Sequence, residues 1–314
     1  MKEDSTSWSI LMNSLKEKHT QIAKLLQGKT VCYLDIPIHF NTGDLLIYKG
    51  TEKFIEENNI NVIYRSDCNY YSHRQIKKCD VILLHGGGNL GDLYPNHQNF
   101  REKIISKYKE KLIIILPQTI YFSSHLNFEK TKKIFSSHPN LYLYVRDKKS
   151  FSIGEKLTSN VTLMPDMAHS LHPLIDINEI NDSSNSCKII NLVRRDIEKN
   201  NVANHNMVKK SFDWDDLITN NHKLWRKIYN ISAKFSFLNK KSIYLWEKVS
   251  DEIVFISENH FYMHDIVYTD RLHGIILSTL LGKKIHLIDN SYGKNSSYIN
   301  AWLKKYPYFI NETD

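Results

Sequence analysis

An arginine and a histidine stand two residues apart in the segment Asp-Arg-Leu-His-Gly of residues 270–274. An apolar run precedes it and apolar residues at i, i+3 and i+4 spacing follow, which predicts a strand, a tight turn and a helix from Arg271 to Leu281. Arg271 and His273 then lie in the first helical turn, where unpaired backbone N–H groups attract anions. Taken alone, a helix cap with an imidazole bonded to Asp270 is the simpler explanation. The functional alternative is an anion site that carries a proton donor.

Three carboxylates follow predicted strands or turns in a similar way. Asp44 ends the turn Asn-Thr-Gly-Asp of residues 41–44, Asp92 closes a glycine-rich stretch, and Asp166 comes directly after Pro165 and a short apolar run. In parallel α/β sheets the carboxyl ends of the strands lie along one edge, and ligands bind there. These aspartates are therefore candidates for the base that takes a proton from an attacking group.

An arginine also occupies a strand end, because Arg146 follows the predicted strand of residues 141–145. It would point into the same crevice as the glycine-rich stretch. Arginine binds carboxylate and phosphate groups in a bidentate geometry that lysine does not offer. For the Arg-Asp dipeptide alone, an ion pair with Asp147 or Glu155 explains Arg146 equally well.

The glycine-rich stretch follows the predicted strand of residues 81–84. Gly86, Gly88 and Gly91 satisfy the Gly-x-Gly-x-x-Gly pattern of dinucleotide-binding folds. That pattern also requires an acid at the end of the next strand, whereas the predicted strand 112–116 ends in Pro-Gln. We therefore expect a substrate loop rather than a dinucleotide site. The residues expected to form this loop and to contact a substrate are His85, Gly86, Gly87, Gly88, Asn89 and Asp92.

Composition restricts the class of protein. With 314 residues and 41% hydrophobic content, the chain is expected to be a soluble globular protein of two domains, located in the cytoplasm. The net charge of +8 is spread along the chain without an aromatic-interleaved basic stripe, which disfavours nucleic acid as a partner. Four cysteines form no Cys-x-x-Cys pair, and His169 and His172 lack a third ligand at metal spacing, so no metal site is expected.

The pattern of strands and helices predicts an α/β fold. We expect an N-terminal Rossmann-like domain over residues 1–175 and a C-terminal one over residues 186–314, joined by an Asn-, Asp- and Ser-rich connection. Residues 9–26 are expected to form one amphipathic helix closed by Gly28. The apolar runs 243–246 and 253–256 fit either strands or helix edges. The last helix is expected to cross back to the first domain.

Seven short motifs follow one another along nearly the whole chain. They are Asn41-Thr42-Gly43-Asp44, Gly86-Gly87-Gly88-Asn89-Leu90-Gly91-Asp92, Pro117-Gln118-Thr119, Val145-Arg146-Asp147, Pro165-Asp166, Arg271-Leu272-His273-Gly274 and Asp289-Asn290-Ser291-Tyr292-Gly293-Lys294. This set resembles the polysaccharide pyruvyl transferase family. The glycine-rich motif and the last two motifs are specific in combination, although each is common alone.

The resemblance implies two Rossmann-like domains that face a crevice, similar to the B-type glycosyltransferase fold. It also implies transfer of the pyruvyl unit of phosphoenolpyruvate onto two sugar hydroxyls as a ketal. By match, Arg146, Arg271 and His273 would contact phosphoenolpyruvate, on the C-terminal side of the crevice. The N-terminal domain, with Asp44, Asp92 or Asp166 as the base, would hold the acceptor.

These residue types suit that chemistry. Phosphoenolpyruvate carries a phosphate and a carboxylate, and one arginine from each domain supplies a matching cation. An imidazole that titrates near neutrality is a natural acid for the enol methylene, which favours His273. Departing phosphate would be helped by a helix N-terminus and a lysine. The residues expected there are Leu272, His273, Gly274 and Lys294.

Two other functions remain open at this point. One is a nucleotide-sugar glycosyltransferase of the same architecture, and the other is a non-catalytic anion-binding protein of an envelope assembly. For the transferase, the expected acceptor is a capsule, exopolysaccharide or lipid-linked glycan precursor, with basic residues drawing the protein to the inner face of the membrane. No metal or redox cofactor is expected. Residues 200–251 match no motif, which leaves the acceptor sugar and the oligomeric state open.

Overall fold

The computed structural model describes residues 2–180, 188–195, 211–288 and 294–310, which form two parallel β-sheets with helices around them. This architecture confirms the α/β class. One sheet is built by the first half of the chain and the other by the second half. The division at residues 175–186 stays a prediction, and residues 181–187 lie outside the described part.

The first sheet has seven strands. They are β1 (Val31–Leu34), β2 (Val62–Ser66), β3 (Val81–Leu84), β4 (Gly87–Gly91), β5 (Leu112–Tyr121), β6 (Leu141–Val145) and β7 (Val161–Leu163). Their spatial order is β2-β1-β3-β5-β6-β7, with β4 paired to β5. Every residue of β1 and β3 is buried, as expected for central parallel strands covered on both faces. The chain switches direction between β1 and β3, and such switch points form ligand crevices.

The second sheet has four strands in the described residues. They are β8 (Ile189–Leu192), β9 (Ser211–Phe212), β10 (Ile266–Thr269) and β11 (Lys284–Leu287), in the order β11-β10-β8-β9. The pairing of β10 with β8 and β11 is parallel and in register over all four residues. β10 is therefore a central strand, and the Asp270-Arg271 turn leaves its carboxyl end.

Helices flank both sheets. They are α1 (Lys2–Lys18), α2 (Thr20–Leu26), α3 (Thr42–Glu57), α4 (His73–Lys77), α5 (Pro95–Lys107), α6 (His125–Ser136), α7 (Lys148–Gly154), α8 (Asn220–Ser232), α9 (Asn239–Tyr262), α10 (Leu272–Leu280) and α11 (Lys294–Tyr298). Short 3-10 turns cover Met167–Leu171, Ile177–Glu179, Trp214–Leu217 and Ser236–Leu238, and a π-helical turn covers Ile299–Leu303.

The glycine-rich stretch is a strand, which corrects the prediction of a substrate loop. Residues 87–91 form β4 and pair with β5, and β5 itself runs on through Pro117 to Tyr121 instead of ending at residue 116. A Cβ on Gly91, whose φ is +124°, would lie within 1.7 Å of the Tyr121 carbonyl oxygen. Glycine is required here because only a bare backbone approaches β5 so closely.

Two helical predictions also need correction. Residues 9–26 belong to two helices, α1 and α2, because the chain turns at His19, whose buried ring contacts Ser170 Oγ (2.7 Å) and the Pro165 carbonyl oxygen (3.1 Å). The apolar runs 243–246 and 253–256 both lie within the single helix α9. Their inward residues are buried at helical spacing along one face.

The two sheets share one hydrophobic core, and both chain ends cross between them. From α1, the Trp8 indole N–H donates to the carbonyl oxygen of Thr279 in α10, at 2.6 Å. Near the C-terminus, the Trp302 indole N–H donates to the carbonyl oxygen of Arg146, at 2.8 Å. The π-helical turn after α11 thus contacts the first half of the chain, and the crossing of the last helix stays a prediction. Within the described residues, no helix combines the length and apolar character needed to cross a bilayer.

Candidate active site

A cavity of about 260 Å³ lies between the carboxyl ends of the two sheets. The first half of the chain lines it with His39, Asn41, Asp44, Gly88, Asn89, Tyr94, His97 and Arg146. The second half lines it with Arg194, Trp214, Arg271, Leu272, His273 and Asn295. Cationic and imidazole side chains outnumber carboxylates on this wall, so the cavity suits an anion.

Two helices begin at this cavity, one from each half of the chain. At the start of α3, the Asn41 side chain accepts a hydrogen bond from the Gly43 N–H (3.1 Å). At the start of α10, Arg271 holds the N-cap position and its side chain caps no backbone N–H. The first N–H groups of a helix lack intrahelical partners and carry partial positive charge. Both helix ends therefore reinforce the attraction of the cavity for anions.

His273 connects the two halves of the site. Its Nε2 lies 3.4 Å from Asp166 Oδ2, and its Nδ1 lies against the backbone of Gly43. The imidazole is thus held between a buried carboxylate of the first half and the first turn of α3. The predicted proton donor of the second half depends on residues of the first half for its position.

Asp166 holds both His273 and Arg146. Arg146 Nη1 lies 2.5 Å from Asp166 Oδ2, and Arg146 Nε donates to Thr119 Oγ1 at 2.8 Å. Burial alone would raise the pKa of the Asp166 carboxyl, but the nearby His273 and Arg146 side chains hold that pKa far below its ordinary value. Asp166 is therefore ionised and orients Arg146 and His273, instead of serving as a base.

Arg146 forms its ion pair with Asp166 rather than with Asp147 or Glu155, the partners that the sequence suggested. The neighbouring Asp147 caps α7, since its carboxylate accepts hydrogen bonds from the Ser150 N–H (2.8 Å) and the Ser150 hydroxyl (2.8 Å). A Cβ on Gly88 would lie 3.0 Å from Arg146 Nη2. Glycine at this place leaves room for the guanidinium at the cavity wall.

Arg271 is fixed by a carboxylate that the sequence did not single out. Its Nη2 lies 2.5 Å from Asp213 Oδ2, and both side chains are almost fully buried. Asp213 also accepts from the Arg195 N–H at 3.0 Å. Because a buried charge needs a partner, Asp213 stabilises the buried guanidinium and holds it at the cavity wall.

Gly274 and Leu272 serve this turn in different ways. A Cβ on Gly274 would lie 2.6 Å from Thr269 Oγ1 and 2.8 Å from Leu192 Cδ2, so glycine permits α10 to pack on the second sheet. Leu272 lines the cavity. Lys294 begins α11, but its side chain and residues 289–293 of the last motif lie outside the described part of the chain.

The structure removes Asp92 and His85 from the cavity wall. The Asp92 carboxylate accepts hydrogen bonds from the Ser123 and Ser124 N–H groups, each at 2.8 Å, just before α6. His85 is buried against Tyr33, whose hydroxyl lies 2.6 Å from His85 Nδ1, and burial lowers the pKa of His85 to about 4. Both side chains organise the first sheet.

The remaining glycines of the motif do not line the cavity but pack closely against β5 and Asp44 next to it. A Cβ on Gly86 would lie 2.9 Å from the Pro117 carbonyl oxygen of β5. Gly87, with φ of +125°, would place a Cβ 3.4 Å from Asp44 Oδ1. Of the residues predicted to contact an acceptor, only Gly88 and Asn89 line the cavity. Asp44 also lines it, with Oδ2 at 3.6 Å from His39 Nε2.

A buried network that the sequence analysis missed supports His97. His97 Nδ1 lies 2.7 Å from Asp35 Oδ1, and the fully buried Arg101 guanidinium lies 2.6 Å from Asp35 Oδ2. Arg101 also donates to Asn89 Oδ1, at 2.7 Å. No local sequence pattern links these residues. Asp35 does follow an apolar run directly, and that position could have marked it as a candidate site residue.

The same network contains the one group of metal-ligand type found in the described residues. Oxygen, sulfur and nitrogen atoms of Asp35, Cys68 and His97 lie within 4.8 Å of one another. The buried Arg101 already neutralises Asp35 and would repel a cation there. The expectation that the site needs no metal remains a prediction.

Comparison with known proteins identifies the family. The sequence profile of the polysaccharide pyruvyl transferases matches residues 41–292. EpsO of Bacillus subtilis (strain 168), a protein named as a pyruvyl transferase, is 37% identical over 94% of this chain and 92% of its own length. Pyruvyl transferase 1 of Schizosaccharomyces pombe is 28% identical over 88% of this chain and 70% of its own.

A solved structure shares the architecture. The crystal structure of an uncharacterised protein from Klebsiella pneumoniae superposes with a TM-score of 0.61 at 26% identity, over 95% of this chain and 98% of that one. The family profile spans Asp166 and Asp213, the carboxylates that hold Arg146, His273 and Arg271. The chain belongs to the polysaccharide pyruvyl transferase family and is a transferase.

Proposed function

We propose that the protein transfers the pyruvyl unit of phosphoenolpyruvate onto two hydroxyls of a sugar in a bacterial surface-polysaccharide precursor. The products are a pyruvate ketal and inorganic phosphate. The observation that carries the proposal is the convergence of Arg146 and Arg271, one from each half of the chain, beside His273 and two helix N-termini.

Donor binding follows from charge and geometry. Phosphoenolpyruvate carries its phosphate and its carboxylate on the same enol carbon, and each is matched by a guanidinium that a buried carboxylate holds in place. Arg146 faces the donor from the first half and Arg271 from the second. The N–H groups at residues 272–274 add hydrogen-bond donors for phosphate.

His273 is the proposed general acid. Asp166 orients the imidazole through Nε2, and the ring lines the cavity, where it exchanges a proton with the substrate. The negative charge of Asp166 stabilises the imidazolium that must exist before transfer. Transfer of this proton to the enol methylene converts it to a methyl group and leaves the central carbon electrophilic.

The remaining steps balance without a further reactant. One sugar hydroxyl attacks the central carbon and loses its proton to a base. The bond from that carbon to the phosphate oxygen then breaks, and phosphate leaves with the electron pair. The second hydroxyl attacks the same carbon, and its proton passes to phosphate, while the proton held by the base restores the imidazolium of His273. Among the predicted carboxylates, Asp44 is the proposed base because it lines the cavity and is not bound to an arginine there.

The proposal is tested with purified protein, phosphoenolpyruvate and a panel of sugar glycosides. Mass spectrometry should detect a pyruvyl ketal together with an equal amount of released phosphate. Thermal stabilisation by phosphoenolpyruvate but not by nucleotide diphosphates should accompany it. Stabilisation by a nucleotide diphosphate alone would favour a nucleotide-sugar glycosyltransferase and contradict the proposal.

A further inference from the structure

Helices α8 and α9 form a hairpin that is firmly anchored on its inner side. The hydroxyl groups of Ser232 and Ser242 lie 2.7 Å apart across the hairpin. The rings of Tyr229 and Trp246 are 6.1 Å apart in the core, and the Trp246 indole N–H donates to the Pro37 carbonyl oxygen at 2.7 Å. The outer face of this hairpin therefore has a fixed orientation.

That outer face and the tip are unusually apolar for exposed surface. Seventeen large hydrophobic residues of the described chain are exposed, and six of them fall within residues 220–246. Phe237 at the tip is 81% exposed and Ile231 is 62% exposed. The six residues are Leu224, Trp225, Ile231, Phe235, Phe237 and Tyr244. A concentration of this kind marks an interaction surface, whereas single exposed residues do not.

The same segment is strongly basic. Residues 220–246 contain five lysines, one arginine and no aspartate or glutamate, which gives +6 of the +8 carried by the whole chain. The basic residues are Lys223, Arg226, Lys227, Lys234, Lys240 and Lys241. All five lysines are exposed and alternate along the surface with the apolar residues.

We propose that this basic hairpin, residues 220–246, docks the protein on the anionic surface of a lipid bilayer. Apolar side chains that enter the headgroup region and lysines that remain at the phosphate level are the features of helices that lie on membranes. A second copy of the chain is a poor partner for this hairpin, because two surfaces of charge +6 would repel each other. Nucleic acid would not use the aliphatic residues Leu224 and Ile231.

The position of the hairpin gives the docking a consequence for the active site. The Arg226 guanidinium lies 4.5 Å from the centre of the Phe40 ring, and Phe40 stands between His39 and Asn41 at the cavity wall. Docking through the hairpin therefore brings the cavity close to the bilayer surface. An acceptor carried on a lipid would meet the cavity there, but the docking itself does not depend on the reaction.

The test is flotation of the full-length protein with vesicles. We expect binding to phosphatidylcholine vesicles that contain about 30 mol% phosphatidylglycerol, at least tenfold weaker binding to pure phosphatidylcholine, and loss of binding at high salt. The charge reversal Lys227→Glu/Lys234→Glu/Lys241→Glu should weaken binding by at least about 100-fold, since each lysine near an anionic surface contributes about fivefold and each new glutamate is repelled. Phe235→Ser/Phe237→Ser should weaken it by about tenfold with all lysines present.

A matched control separates a specific surface from overall charge. Lys107→Glu/Lys109→Glu/Lys133→Glu changes the net charge by the same amount at exposed lysines around α5 and α6. It should leave vesicle binding within about twofold. Equal loss in both triple variants would overturn the proposal, as would the absence of binding to anionic vesicles. Binding of the wild-type protein to RNA or to itself through the two phenylalanines, without vesicle binding, would also overturn it.

Discussion

A Cβ atom built on Gly43 would lie 2.4 Å from Nδ1 of His273, so the first turn of α3 and the imidazole of α10 occupy adjoining space. One residue belongs to the Asn-Thr-Gly-Asp motif and the other to the Arg-Leu-His-Gly motif. The two motifs therefore depend on each other, because the glycine makes room for the proposed acid of the opposite half.

Gly43→Ala should displace the His273 ring and lower kcat by at least about 100-fold, the usual contribution of a positioned acid. The protein should also lose thermal stability. The double variant Gly43→Ala/His273→Ala should recover most of that stability and none of the activity, because the methyl group then has space. Activity close to wild type in Gly43→Ala would show that the ring can move without consequence.

Asp166→Asn should destabilise the fold by about 3–5 kcal/mol, because it removes the charge that pairs with buried Arg146 and His273. Urea denaturation measures this loss. Stabilisation by phosphoenolpyruvate should fall as well, since Arg146 is no longer oriented. Thr119→Ser keeps the hydroxyl that accepts from Arg146 and is the control, for which we expect a change below about 1 kcal/mol.

Asp44→Asn and Asp92→Asn should have opposite phenotypes. Asp44 lines the cavity, so its variant should lose about 10²–10⁴-fold in kcat with little change in stability. Asp92 bonds the N–H groups of Ser123 and Ser124, so its variant should keep kcat and lose about 1 kcal/mol of stability. Steady-state kinetics and thermal melts of both variants measure these changes in kcat and stability. A loss of kcat in Asp92→Asn would contradict the prediction and make Asp92 a catalytic candidate again.

Arg271→Ala should weaken phosphoenolpyruvate binding by at least about tenfold while acceptor binding changes little. The variant also leaves Asp213 buried without its partner, which adds a stability loss unrelated to the donor. Arg271→Ala/Asp213→Ala removes both charges and should recover stability but not donor binding. Calorimetric titration with phosphoenolpyruvate distinguishes the two effects. Equal loss of donor and acceptor binding in the double variant would assign Arg271 a structural role.

Stability should fall as the pH drops from about 6.5 towards 4. Burial lowers the pKa of His19 and His85 to about 4 and that of His169 to about 3. On acidification the unfolded chain therefore binds protons at these histidines before the folded protein does. The free energy of unfolding is highest above about pH 6.5. It falls at lower pH by at most about 1.4 kcal/mol per pH unit for each histidine. Urea denaturation at several pH values measures the slope. His19→Gln should reduce it, and an unchanged slope would contradict the assignment.

The sequence by itself determined the α/β class, most strand positions and the two motifs that begin α3 and α10. These features are local, because a strand or a helix N-terminus is encoded by the spacing of neighbouring residues. It also placed Arg146 at a strand end and Arg271, His273 and Asp44 in strand-to-helix turns, where parallel sheets gather functional side chains. The short runs 243–246 and 253–256 stayed ambiguous because four residues do not reveal a helical period.

Only the tertiary structure decided which side chains pair. Asp166 and Asp92 are both carboxylates that the sequence marks as candidate bases, yet one orients Arg146 and His273 and the other binds the N–H groups of Ser123 and Ser124 before α6. Asp213 and His97 gave no local signal, since their partners Arg271 and Asp35 are distant in the chain. Such contacts depend on the order of strands and the packing of one sheet against the other, which no short window of sequence contains.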